Sequence, residues 1–481
     1  MTALALFCML GFAALLVSAA GSAVSQSGGP ERLSLQIDPS RVTTKGFLGF
    51  GVELDPMALN ANNRRRGVTD EDWRLLTGRL AEMRMPIVRM MSQLSWFAAE
   101  GPDRFDYDNP QARSLMAYLD FCQKHDIDVI LTDWAWVGQC KWLKGHDDPA
   151  YAQGIATYLK HLLEDRKYSC IKFLVIGNEP DSEIKDVEAY ARMYRNVHEA
   201  LKAAGLRDKV QLMGPDIAWQ WEWFDGAAAR IAGVVDAYDF HCYVGQEEVR
   251  DDGQKRLLPN LMRFRSVVDR VDPNGKDKPI LLTEMGMGGG STNGHPAIDT
   301  FDYALHMGDL AIGVLNSGTK AGIAWCAFDV YYFEGDQLMS WGMWKYKDHD
   351  WKPKPWHSIW QEVTRSVPRH GDVVAVEGAQ GLVHAAAIAL NRSKGEGGRE
   401  PTYQQFTVLL ANRSSGEKSV SIALPTGHEG RWRKTSCASS GVVERTGPAD
   451  LPATAGKVRL DLALPAESFT VVNLDFASPT K

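Results

Sequence analysis

The chain has 481 residues, 44% hydrophobic and 23% charged, with 44 Gly and 22 Pro. This ordinary globular composition excludes collagen-like, low-complexity and disordered classes for the bulk of it. Its 53 basic and 60 acidic side chains leave a net charge of −7, which argues against the basic face that nucleic acid or an anionic membrane would recruit.

Residues 1–23 carry no charged side chain, and the apolar stretch Ala3–Ala20 gives way to Gly21-Ser22-Ala23. That pattern predicts a secretory signal peptide rather than a membrane span, hence a secreted or periplasmic protein with no membrane partner once the signal is removed. Six cysteines follow: Cys122, Cys140, Cys170, Cys242, Cys326 and Cys437. None has CxxC or another metal spacing, so no zinc site is expected. Disulfides and buried free thiols are both open readings.

In the segment 24–44, Arg32–Ile37 alternates in polarity and predicts a strand that joins a C-terminal sheet. Over 45–367, eight short apolar runs alternate with amphipathic segments. The runs are Gly46–Glu53, Pro86–Met91, Asp128–Trp134, Ile171–Asn178, Val210–Asp216, Val234–His241, Pro279–Glu284 and Gly322–Phe328. Eight strands alternating with helices predict an α/β structure, specifically a (β/α)8 TIM barrel. An open doubly wound sheet is the alternative, but no Gly-rich phosphate loop follows the first run. Over 368–481 the runs become short, β-type and split by Gly, Pro and Ser, predicting an all-β sandwich. Ser393–Glu400 reads as a hairpin loop, and Asn391-Arg-Ser393 and Asn412-Arg-Ser414 are glycosylation sequons if the host is eukaryotic.

A barrel places its chemistry at the carboxyl ends of its strands. In order these ends offer Glu53 and Asp55, Arg89, Trp134 with Trp136, Asn178-Glu179, Asp216, His241 with Tyr243, Glu284, and Trp325. Glu179 and Glu284 close strands four and seven, and two carboxylates are what glycoside hydrolysis needs. The 15 tryptophans cluster after strands three (Trp134, Trp136, Trp142), five (Trp219, Trp221, Trp223) and eight (Trp341, Trp344, Trp351). Each can either stack on a sugar or pack in the core. Glu53 and Asp55 are open between ligand contact and loop structure.

Ile176-Gly177-Asn178-Glu179-Pro180 resembles the Asn-Glu-Pro signature of glycoside hydrolase clan A, and Leu281-Leu282-Thr283-Glu284-Met285-Gly286 resembles that clan's nucleophile strand. His241-Cys242-Tyr243 is similar to the His-x-Tyr ending strand six in family 5, and the appended sandwich is more like families 30 and 39. The resemblance implies a retaining glycosidase acting on β-glycosidic bonds of an oligo- or polysaccharide, with no cofactor and no metal. Glu179 would be the acid/base, protonated at working pH, and Glu284 the nucleophile, kept ionised by Arg89 and Tyr243. Asn178 would bond the sugar 2-hydroxyl and Trp325 lie under the reacting sugar. His241, Trp134, Trp136, Glu53 and Asp55 complete the expected substrate surface. The aromatic load favours a bound chain and endo action; exo action and a non-catalytic glycan-binding barrel are the alternatives. Gly177, where the clan often has Trp, and Asp133-Trp134-Ala135-Trp136, where family 5 has a His, leave the sugar and linkage open, as is the oligomeric state.

Overall fold

The computed structural model describes residues 32–135, 137–218, 220–332, 335–390, 403–424, 429–454 and 457–476. The expected signal peptide, the Ser393–Glu400 loop, the Asn391 sequon, Trp136 and Trp219 lie outside them.

The eight apolar runs form the expected barrel. Its strands are Gly49–Val52, Ile87–Ser92, Asp128–Asp133, Ile171–Ile176, Gln211–Ile217, Ala237–Val244, Ile280–Met287 and Ala321–Ala324. Parallel ladders join neighbours in order, and the first strand pairs with the eighth. Between the first and second strands closure rests on a single Glu53–Arg89 bridge, with Leu54 N–H donating to Arg89 O at 2.8 Å. Alternate residues point to opposite faces. Ile87, Ile130, Phe173, Met213, Ala237 and Leu281 fill the interior, while Val88, Leu131, Leu174, Leu212 and Leu282 pack against the surrounding helices.

Two irregularities in these ladders decide what the barrel's upper end presents. Pro215 pairs with Asp239 and Ile217 with Phe240, so Asp216 is an extra residue on strand five. Phe240 pairs with Leu282 and His241 with Glu284, so Thr283 is an extra residue on strand seven. A bulge of this kind re-aims the residues beyond it. Here it brings both Thr283 and Glu284 to the inside.

The second sheet has ten strands, with Leu33–Phe47 lying between Gly371–Glu377 (antiparallel) and Lys418–Leu424 (parallel). The sheet bends at Leu33–Phe47, where its register shifts repeatedly, and its two halves enclose a core of Leu35, Ile37, Val408, Leu410, Ile422, Leu460 and Val472. The other face, through Ala386, Ile388, Phe469 and Val471, joins the barrel's core. Helix Phe301–Asn316 is caught between the two and is buried all round from Tyr303 to Leu315. Gly308 is required there, because a Cβ would lie 2.5 Å from the Phe469 ring. Ion pairs tie the units together, among them His384 Nδ1 to Asp309 Oδ1 at 2.7 Å, Arg413 Nη2 to Asp302 Oδ1 at 3.0 Å, Arg413 Nε to Asp309 Oδ2 at 3.2 Å and Arg445 Nη2 to Glu362 Oε1 at 3.2 Å. The second sequon is no acceptor in the folded chain. Asn412 is fully buried and its Nδ2 donates to Gly416 O, Leu464 O and Pro465 O. All six described cysteines are buried free thiols.

Candidate active site

Arg89, in the middle of strand two, is the hub of the barrel's upper end and is fully buried. All five of its N–H groups are used. Nη1 donates to Glu53 Oε2 (3.0 Å) and Glu284 Oε1 (2.7 Å), Nη2 to Asn178 Oδ1 (2.7 Å) and Asp216 Oδ2 (2.6 Å), and Nε to Thr132 Oγ1 (3.1 Å). One guanidinium therefore fixes side chains from strands one, three, four, five and seven. Removing one partner from such a buried set leaves uncompensated charge, a loss of about 3–5 kcal/mol.

The two glutamates arrive by different routes. Strand four ends in Gly177 (φ +93°) and a left-handed Glu179 (φ +48°), whose N–H donates to Asp216 O at 3.1 Å. This conformation is uncommon for a residue with a Cβ. It turns the chain into the short helix Pro180–Glu183, with Pro180 at its first position, and sends the Glu179 side chain toward the cleft. Glu284 comes from the bulged strand seven. His241 stands between them: Nδ1 lies 3.0 Å from Glu179 Oε1 and 3.5 Å from Glu284 Oε2, and Nε2 lies 3.1 Å from Asp216 Oδ1. An oxygen of each glutamate and the imidazole nitrogen all fall within 4.8 Å of one another. Tyr243 donates its hydroxyl to Glu284 Oε2 at 2.9 Å.

Protons are distributed by burial and by two cations. Burial raises Glu284 to about 7, against the pull of His241 and Arg89 and with Glu179 and Glu53 reinforcing it. Burial disfavours a charged His241, but Glu284, Asp216 and the hydrogen bonds outweigh it and hold the ring protonated. With both nitrogens donating, the imidazolium faces carboxylates on either side. Burial also opposes charge on Asp216, yet Arg89 and His241 keep it ionised, and its neighbour Asp239 is driven well up by burial and by Asp216. Thr283 Oγ1 donates to Asp216 Oδ1 at 3.1 Å. The same three groups, Glu179, His241 and Glu284, are the donors a metal ion would use. A dication there would meet the fixed charge of Arg89, 2.7 Å from Glu284.

These side chains open on a cleft of about 490 Å³, lined by Asn178, Glu179, Tyr243, Glu284, Trp325, Trp341 and the turn Met287–Thr292. Several expected substrate contacts lie elsewhere. Arg89 and His241 are buried beneath the carboxylates, so they meet other protein groups and not a sugar. Glu53 and Asp55 are buried too. Glu53 holds Arg89, its other oxygen and both Asp55 oxygens lack a donor side chain, and the pair face each other. Burial raises both, Asp55 to about 7, which fits one proton held between them.

Trp134 is buried edge-on to Trp96 (6.0 Å) and Tyr332 (6.1 Å), away from the cleft. Trp142 donates to Ala98 O, Trp221 packs on Phe264, Trp223 donates to Ile184 O, and Trp344 and Trp351 are core. Among the described residues only Trp325 and Trp341 reach the cleft. Sequence reasoning assigned no role to Thr132, Asp239 or Thr283, which touch no substrate position. It also passed over the Met287–Gly290 run, whose three consecutive glycines signal a close backbone approach.

The chain matches no family model and no curated protein. Solved structures do resemble it in fold. They include a glucosidase from Croceicoccus marinus, 12% identical with a TM-score of 0.64, over 93% of this chain and all of that one. A glycoside hydrolase family 30 subfamily 8 xylanase from Clostridium acetobutylicum is 14% identical (TM-score 0.61), over 92% of this chain and 99% of that one. A family 51 α-L-arabinofuranosidase from Bifidobacterium longum is 13% identical (TM-score 0.59), over 93% and 100% respectively. At these identities the likeness is one of fold.

Proposed function

We propose that the protein is an exported retaining glycoside hydrolase acting on β-glycosidic bonds of an oligo- or polysaccharide. The observation that carries this is the Glu179–Glu284 pair, whose oxygens come within 4.8 Å across a cleft at the barrel's carboxyl end. A retaining pair sits about 5–5.5 Å apart, whereas an inverting pair leaves roughly 6.5–9.5 Å for a water. Support also comes from the names of three proteins sharing the fold, each a glycosidase. Residues 1–23 support export.

In this reading Glu284, ionised, attacks the anomeric carbon while Glu179 gives its proton to the leaving oxygen; Glu179 then takes a proton from the water that releases the glycosyl-enzyme. Arg89, His241 and Tyr243 favour the ionised nucleophile against burial. Asn178, its Oδ1 taken by Arg89, has Nδ2 left to donate to a sugar hydroxyl. Exo action is the second reading. The hairpin of Val330–Tyr331 and Leu338–Met339 bonds to Asn62 and Asn63 after strand one and packs beside Glu53 and Asp55, and the wide indole lining that favoured endo action reduces to two rings.

The test is turnover of purified protein on aryl-glycoside and polysaccharide panels, with the product anomer followed by NMR. Retention of configuration with Glu284-dependent turnover is expected. Inversion refutes the mechanism, and no turnover on any panel member refutes the hydrolase.

A further inference from the structure

We infer that Trp341 is a positioning residue: its indole holds the Tyr243 ring so that the phenol stays in hydrogen-bond register with Glu284. The inference builds on the nucleophile role proposed for Glu284. Trp341 lies 16 residues beyond Trp325 in the chain, in the segment after strand eight. Its ring nonetheless meets Tyr243 edge-on, with centroids 5.9 Å apart and planes at 70°. Tyr243 in turn donates to Glu284 Oε2 at 2.9 Å, a closer contact than His241 Nδ1 makes to the same oxygen at 3.5 Å.

The indole is itself clamped. Its Nε1 donates to Ser291 O at 2.9 Å. The backbone of Gly290 approaches it closely, and a Cβ there would fall 2.3 Å from Cζ2 and 2.5 Å from Cη2. The flanking segment is fixed on both sides. Ser340 N–H and Oγ donate to Asn293 O, each at 2.7 Å, and Gly342 N–H donates to Asp329 Oδ1 at 2.8 Å. Lys354 Nζ bonds that same Asp329 oxygen and Ser340 O, both at 2.7 Å. The turn after strand seven and the segment after strand eight are thus stapled with Trp341 between them. A residue needed for apolar volume alone would require neither the N–H to Ser291 nor the bare backbone at 290. Those two features single out an indole in one orientation.

The groups facing Glu284 are Arg89 from strand two, His241 and Tyr243 from strand six, Glu179 from strand four, and Glu53 with Asp55 at the end of strand one. Loosening Tyr243 removes a donor to the charged carboxylate, which favours its protonated form.

The test follows Glu284 titration in the full chain by 13C NMR of labelled glutamate, in wild type, Trp341→Leu, Trp341→Phe, Tyr243→Phe and Trp341→Leu/Tyr243→Phe. Trp341→Leu should move the midpoint up by roughly half a pH unit, Trp341→Phe by less, and Trp341→Leu should add nothing once Tyr243 is Phe. On a cleavable aryl glycoside, Trp341→Leu should lower kcat about tenfold. Should Trp341→Leu fail to fold, Gly290→Ala, which pushes on the ring, must give the same upward movement. A midpoint that stays put, or moves equally with and without the Tyr243 hydroxyl, overturns the inference. If wild type cleaves no glycoside the hydrolase reading falls, while the titration still decides on Trp341.

Discussion

On the side of strands one to three, the barrel's carboxyl face buries Glu53, Asp55 and Asp133, and its indoles Trp96 and Trp134 pack on each other. On the side of strands four to eight, Glu179 keeps 29% of its side chain exposed, and Trp325 and Trp341 line an open cleft beside Glu284. The residue types are the same; the cover differs. The hairpin pinned to Asn62 and Asn63 packs beside Glu53 and Asp55 and meets Trp134 through Tyr332, while Asp133 accepts from the Tyr151 hydroxyl at 2.7 Å. Arg89 links the halves, bonding Glu53 on one side and Glu284 on the other. Burial alone does not separate the two sets, since Asp55 and Glu284 are both 5% exposed; what separates them is that Glu179 and Glu284 line the cleft while Glu53 and Asp55 do not.

The sharpest way to break this comparison is to neutralise each of the two acids that line the cleft. Glu284→Gln should cut turnover by roughly four orders of magnitude. Glu179→Ala should lose less on an aryl substrate with a good leaving group, and azide should partly restore it. Equal, unrescued losses in steady-state assays would contradict separate roles.

Arg89→Met tests the link. It strands several buried carboxylates, so denaturant unfolding should show a loss of about 3–5 kcal/mol, while Ala at exposed Arg104 should change stability by less than about 0.5 kcal/mol.

A smaller effect concerns pH. The nucleophile acts ionised, so with Glu284 raised to about 7 kcat/KM should fall as pH drops through that value. His241→Asn removes a cation that holds Glu284 down and should move this acid limb to higher pH. A limb unmoved by the substitution would show that Glu284 is not the group titrating.

Asp55→Asn should be mildest. Asp55 is raised from 3.8 to about 7 in the fold, so the native state binds a proton that the unfolded chain gives up. Its favourable contribution is full below about pH 4 and is lost as pH rises through 7. The variant should therefore lose less Tm than wild type between pH 5 and 8, with turnover within tenfold of wild type.

Much of the barrel could be read from the sequence because a buried parallel strand is a short apolar run between helices, and Asp70–Met83 and Val187–Ala203 carry clear helical periodicity. The hairpin Gly430–Ala438 with Gly441–Leu451 could not. It adds to the edge of the second sheet and alternates Arg, Lys and Glu with small residues, so it has no apolar run to betray it. The two glutamates were legible because Asn-Glu-Pro and the Glu284 strand are local patterns. The tryptophans were not, since Trp219 and Trp223 or Trp341 and Trp344 sit at the same spacings whether they face sugar or core.

The sequence by itself determined the order of strands and helices, the second sheet, and the two carboxylates at strand ends, all properties of neighbours along the chain. Only the tertiary structure decided which side chains face the cleft. The extra residues Asp216 and Thr283 shift facing by one position, and a period of two converts that shift into inside or outside. Likewise Arg89 gathers partners from five strands, and a hairpin residing some 280 residues after Glu53 packs beside it. Such contacts depend on closing the barrel, a long-range event that no local pattern encodes.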